Sequence, residues 1–212
     1  MKLTHPMTLD HDKEITMPPL PYFRFWLAVP GLLLVSGLAM AHPGHGAEQG
    51  SFMAGLVHPL FGPDHLLVMA AIGLWSLGQS RRLRLAVPCL AVGGMIIGAG
   101  LAVVGVGLPG VESAIALSVL LAGVLVATLA RLPSLLGGLL VVGFMLFHGH
   151  AHGTEMPHGA SLVAYLAGFS LATLAITLTV RLAGGWLKAR ESRPLRVVGA
   201  VIAATGAFFA LS

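Results

Sequence analysis

From residue 50 onward the chain alternates long apolar runs with short polar connections, the runs recurring near 52–79, 84–107, 111–130, 134–154, 159–180 and 195–212. Each approaches the length of about 20 apolar residues that a helix needs to cross a bilayer. Only helices and closed barrels satisfy their own backbone in lipid, and the alternation of polar and apolar residues that barrel strands require is absent from these runs. The pattern predicts an all-α fold: a polytopic membrane bundle of six transmembrane helices. Glycine recurs inside the spans, as Gly93, Gly94, Gly98, Gly100 and Gly105 in the second and Gly137, Gly138 and Gly143 in the fourth. Small residues let helices approach closely where apolar side chains gain nothing by leaving lipid.

A shorter apolar run, Phe25 to Leu38, precedes the spans and ends in Ala39-Met40-Ala41. Small residues at −3 and −1 after such a run form the cleavage pattern of a secretory signal peptide. Residues 1–41 are therefore expected to be a cleaved signal peptide, with Met17 as an alternative start, and 42–212 the six-span domain. The connections orient the spans. Arg81, Arg82, Arg84, Arg131, Arg181, Lys188, Arg190, Arg193 and Arg196 are all the basic residues after Ala41, and all fall in the connections at one end. The connections around Glu112 and Glu155 contain none. The positive-inside rule makes the basic end cytoplasmic. Both mature termini then face the periplasm of a bacterial inner membrane.

Composition narrows the function. Charged residues make up 9% of the chain and hydrophobic ones 56%, against about 25% charged in soluble domains. That excludes a soluble enzyme and a disordered chain. The formal charge of +4 comes from residues scattered between spans, not from the basic patch that nucleic acid requires. Cys89 is alone, so neither a disulfide framework nor a cysteine-rich metal site can form.

The histidines are concentrated. Eight follow Ala41, and none lies at the basic end. His42 and His45 stand at the expected mature terminus, where a flexible pair could assist capture of a ligand. Span one carries His58-Pro59-Leu60-Phe61-Gly62-Pro63-Asp64-His65, with Met69 following. On a continuous helix His58, His65 and Met69 share one face, while Pro59, Gly62 and Pro63 predict a kinked or opened helix. Asp64 falls about 18 Å of helix rise into the span. A carboxylate at such depth needs a cation, an imidazolium or a proton as partner. Span four ends Phe147-His148-Gly149-His150-Ala151-His152-Gly153-Thr154-Glu155, placing His148, His152 and Glu155 on one helical face and turning His150 away. The two spans run antiparallel, so both clusters fall in the outer half of the bilayer. They are expected to meet in one cation site.

Imidazole with carboxylate suits a borderline divalent ion: Ni, Co, Zn or Cu(II). The two motifs together, His-Pro-x-x-Gly-x-Asp-His over 58–65 and Phe-His-Gly-x-Ala-His-Gly-x-Glu over 147–155, resemble the HupE/UreJ family of hydrogenase and urease accessory proteins. Members of that family are regarded as nickel permeases, with cobalt relatives. The resemblance implies uptake of Ni2+ or Co2+ as transported substrate, without a resident cofactor. It maps metal handling onto His58, Asp64, His65, Met69, His148, His152 and Glu155, with His42, His45 and His150 as weaker candidates. The spacing at Asp64 is one residue longer than the His-x4-Asp-His of a second nickel/cobalt transporter family. A membrane-embedded zinc hydrolase is the competing class. It would need a nucleophile or an acid–base pair beyond the ligands.

Overall fold

The structure, a computed structural model, describes residues 47–188 and 192–212. The expected signal peptide, its cleavage site and His42 and His45 lie outside the described residues. Among the described residues the chain forms seven helices and no strand: α1 (Ala47–Phe61), α2 (Pro63–Ser76), α3 (Arg81–Val103), α4 (Val111–Thr128), α5 (Ser134–Thr154), α6 (Leu162–Lys188) and α7 (Arg193–Leu211). Helices α3 to α7 are each long and apolar enough to cross a membrane, and α1 and α2 are so only when taken together across a bend of 77°, the geometry of a broken span or a re-entrant loop.

The bend falls where the sequence weakens the helix. Pro59 lies in the last turn of α1 and Pro63 opens α2. A residue preceding proline is pushed out of the helical region, and Gly62 is accordingly extended, at φ −81° and ψ 105°. This corrects the expectation of one continuous face. His58 and His65 stand on two helices that meet at an angle, so helical periodicity does not align them. It also removes the straight rise of about 18 Å expected before Asp64, which instead occupies the first turn of α2 with its side chain 30% exposed.

Three helix pairs make the frame: α3 with α5, α4 with α7 and α1 with α6. Helix α2 lies against α4 and α6 and contributes Val68, Met69, Ile72 and Trp75 to the buried core. The α3–α5 pair is close because of its glycines. A Cβ on Gly98 would strike the Leu146 carbonyl, and one on Gly149 the Met95 backbone. Gly93, Gly100 and Gly143, expected at such contacts, have open space beside them.

The two ends of the bundle are held differently. At the arginine end, Arg181 Nη1 donates to the Arg84 carbonyl at 2.9 Å, tying α6 to α3. Nearby, Trp75 Nε1 and Gln79 Nε2 both donate to the Ala130 carbonyl, at 2.9 and 2.8 Å, and Gln79 Oε1 accepts from Leu132 N at 3.1 Å. This clamp closes the α4–α5 connection, where Leu129 adopts a left-handed φ of 55° as the helix terminates. The histidines occupy the opposite end.

Candidate metal centre

The α2 half of the site is built by its own first turn. The leading N–H groups of a helix have no intrahelical partner. Asp64 Oδ1 accepts from the His65 backbone N and from His65 Nδ1, both at 2.8 Å. The carboxylate also sits at the positive end of the α2 dipole. Gly62 leaves this pair room: a Cβ would lie 3.0 Å from His65 Nδ1 and 3.2 Å from Asp64 Oδ1, and the side chains would have to shift to admit it.

The α5 half is two interleaved stripes. Gly149 and Gly153 are four apart and face the α3 backbone, while His148 and His152, also four apart, are turned toward His65. The close α3–α5 approach thus fixes the rotation of α5 and buries both imidazoles completely. The His65 ring centroid lies 4.5 Å from that of His148 and 4.1 Å from that of His152. His58 reaches the group from α1, with its ring 4.7 Å from His152 and its Nε2 2.9 Å from Glu155 Oε2. His58, His152 and Glu155 each offer one ligand atom, all within 4.8 Å of one another. Imidazoles and carboxylates thus run continuously from Asp64 and His148 through His65 and His152 to His58 and Glu155. Motifs 90 residues apart in sequence meet here, drawn from three helices.

Hydrogen-bond accounting assigns the tautomers. The Ser118 hydroxyl has one proton, and the Ile115 carbonyl at 2.7 Å can only accept it. Ser118 Oγ must therefore accept from His148 Nε2, also at 2.7 Å. Asp64 likewise accepts from His65 Nδ1. In the neutral rings this leaves lone pairs on His148 Nδ1 and His65 Nε2, both buried and without a protein partner, as are both ring nitrogens of His152. An imidazole held through one nitrogen by an oxygen, with the other left as a lone pair, is the outer-shell pattern of metal-binding histidine. Buried polar atoms are otherwise paired. The donor set of imidazole nitrogen and carboxylate oxygen fits a borderline divalent cation. Phe169 and Tyr165 of α6 close the far side, with the Phe169 ring 5.1 Å from His152 and the Tyr165 hydroxyl 3.4 Å from the His152 carbonyl.

The HupE/UreJ protein family model matches residues 30–209, a stretch that contains every residue of this cluster. The chain belongs to the HupE/UreJ family. Protein HupE of Rhizobium leguminosarum bv. viciae is 37% identical over 176 residues, covering 82% of this chain and 91% of that protein. No solved structure matches it.

For this HupE/UreJ chain the two motifs divide unequally over the site. His58, Asp64, His65, His148, His152 and Glu155 are brought together. Met69 is one turn further into α2 and buried in the apolar core. His150 is turned away, as its place between the stripes requires, and its Nε2 donates to the Val106 carbonyl at 2.9 Å. Ser118, Tyr165 and Phe169 were not singled out by the sequence. The available signal for Ser118 was a hydroxyl inside an apolar span, and that reads equally as helix packing.

Proposed function

We propose that this chain takes up a divalent transition metal, Ni2+ foremost and Co2+ as its near equivalent, and supplies it toward hydrogenase or urease maturation. The observation that carries the reading is the set of buried imidazole lone pairs on His65, His148 and His152, aligned with two carboxylates. Family membership supports the same reading. So does the bend at Gly62, since broken backbone at membrane depth is tolerated where it is buried in protein or lines a watery cavity. In this reading Met69 lines the apolar floor beneath His65, and His42 and His45 gather metal at a periplasmic amino terminus freed by cleavage after Ala41. The arginine connections face the cytoplasm. Protons compete with metal for imidazole, so acidification lowers uptake.

Ser118 and His148 form the hydrogen-bonded pair that a hydrolase would need, but with the proton on the wrong side. Ser118 spends its hydrogen on Ile115 and receives one from His148, the reverse of a nucleophile activated by a base.

Uptake of radioactive nickel and cobalt by cells expressing the chain tests the proposal. Accumulation should exceed that of cells lacking the chain and should be lost with Asp64→Asn at equal protein level. Equal accumulation with and without the chain overturns the proposal.

A further inference from the structure

Helix α6 carries one face from the histidine cluster to the arginine end. Phe169, Thr173, Thr177 and Arg181 follow one another at intervals of four, so they stand one above the next on the same side of the helix. The Phe169 ring lies against His152, and Arg181 ties α6 to α3. Both threonines between them are buried. Helix α2 runs parallel to α6 here: a Cβ on Gly73 would meet the Thr177 carbonyl, and one on Gly184 would meet Leu74 and Leu77.

Two groups on this line are left short by their own helices. A threonine inside a helix commonly turns its hydroxyl onto a carbonyl of the preceding turn, as Thr173 does toward Phe169 at 2.9 Å. Thr177 Oγ1 makes no such bond. Among the described residues it is the one buried side-chain hydroxyl without a partner. The second group is the Arg84 carbonyl. Pro88 stands inside α3, four residues on, and has no N–H to give it. Arg181 Nη1 donates to that carbonyl instead, at 2.9 Å.

We infer that a cation leaves the histidine cluster along this face, over Thr173 and Thr177, and that Arg181 closes the way at the basic end. The inference rests on the proposed metal uptake and adds where the ion goes after His152. The chemistry is graded along the line. Imidazole and carboxylate hold a borderline divalent ion firmly. Hydroxyl oxygen and the Met95 thioether, 3.2 Å from Thr173 Oγ1, are neutral and hold it weakly. An ion crossing apolar core needs such polar atoms, because unpaired charge is costly there. Thr177 offers both lone pairs of an oxygen that the fold does not use. Phe169 stands at the head of the face, so its ring must turn aside for an ion to pass. At the foot, the Arg181 guanidinium opposes a divalent cation by its charge. Its anchor is a carbonyl outside the helical ladder of α3, so this latch parts without breaking a backbone hydrogen bond in either helix.

Thiol labelling tests this on the full-length chain with Cys89→Ala as background, in membrane vesicles that present the arginine end outward. The probe is a charged, membrane-impermeant methanethiosulfonate. Thr177→Cys should react slowly, and about tenfold faster when Arg181→Gln is added. Arg181→Lys keeps a charged donor and should keep the slow rate. Leu178→Cys is the control, next in sequence and 36% exposed on the outside of the bundle; it should stay unlabelled in every background. Equilibrium dialysis of the same chains against radioactive Ni2+ reads the cluster separately. Thr177→Cys no more reactive than Leu178→Cys in the Arg181→Gln background overturns the route. Equal Thr177→Cys rates with arginine, glutamine and lysine at 181 overturn the closure. Arg181-dependent labelling in a chain that binds no Ni2+ would uphold the route and overturn nickel as its cargo.

Discussion

The two ends of this bundle treat the nitrogens of their buried side chains in opposite ways. At the arginine end Gln79 is buried, and its amide is used on both sides: it donates to the Trp75 and Ala130 carbonyls and accepts from Leu132 N. At the histidine end five buried imidazole nitrogens, on His65, His148, His150 and His152, have no protein partner. A buried unpaired polar atom costs about 1–3 kcal/mol. The clamp is what a helix bundle does with polar atoms when stability alone decides. The imidazole cluster departs from that rule at several neighbouring atoms, and such departures concentrate at functional sites. The contrast says where this chain gives up stability and where it gains it.

The largest expected effect breaks the contrast at the histidine end. His152→Leu fills similar volume and removes two unpaired nitrogens. Metal affinity should fall more than about 100-fold, since losing even an outer-shell partner costs about 10–100-fold. The thermal midpoint in detergent should hold or rise, because an apolar group replaces an unsatisfied one. Isothermal titration with Ni2+ and a melting curve read the two effects. A variant that melts markedly lower would show that the imidazole serves the fold.

Gln79→Leu is the mirror experiment. It strands Leu132 N and weakens the hold on Ala130, so the chain should lose about 1–3 kcal/mol of stability. Ni2+ affinity measured below the midpoint should not change. If it fell as far as in His152→Leu, the ends would be coupled.

Much of this arrangement was legible in the sequence, because lipid imposes span length and leaves few ways to satisfy a backbone. The expected spans and the observed helices agree to within five residues except at the end of α6, which runs to Lys188, eight residues past the expected 180, and the break at Gly62 followed from the prolines around it. The face shared by His148 and His152 was legible for the same reason: α5 is straight enough for i, i+4 spacing to hold. His58 and His65 were misaligned in the reading because that spacing cannot be carried across a 77° bend. They converge through His152 instead, a tertiary fact. The glycine contacts show the same limit. Composition signals close packing, but which glycine faces a neighbour depends on helix rotation, and Gly149 and Gly153 of the histidine motif turned out to be contact glycines. Nothing in sequence marked Gln79 as a clamp, since its partners are the carbonyl of Ala130 and the N–H of Leu132 across the bundle.

A smaller effect sharpens the comparison within the site. Ser118→Ala removes the oxygen that accepts the His148 Nε2 proton. The ring is then free to exchange tautomers or turn, and Ni2+ affinity should fall about 10–100-fold. Ser118→Thr keeps the hydroxyl and should recover most of it. Affinity restored by threonine distinguishes orientation of the imidazole from mere filling of space, while an unchanged affinity in alanine would remove Ser118 from the outer shell.

Met69 gives the smallest effect and lies on the boundary between the two ends. It follows His65 by one helical turn, offers a thioether to a soft ion, and is 1% exposed within the apolar core. Thioether favours softer ions than Ni2+, and methionine is a common filler of irregular core space. Met69→Leu conserves volume and should cost less than about 1.5 kcal/mol. Ni2+ affinity should stay within about twofold of the wild type, well below the 10–100-fold of an outer-shell loss. Nickel X-ray absorption on the loaded chain gives the direct reading, since a sulfur neighbour scatters differently from nitrogen or oxygen. A sulfur signal in the wild type that vanishes in Met69→Leu would move Met69 from the core into the site. An unchanged nitrogen and oxygen shell would leave it as the first apolar layer beneath His65.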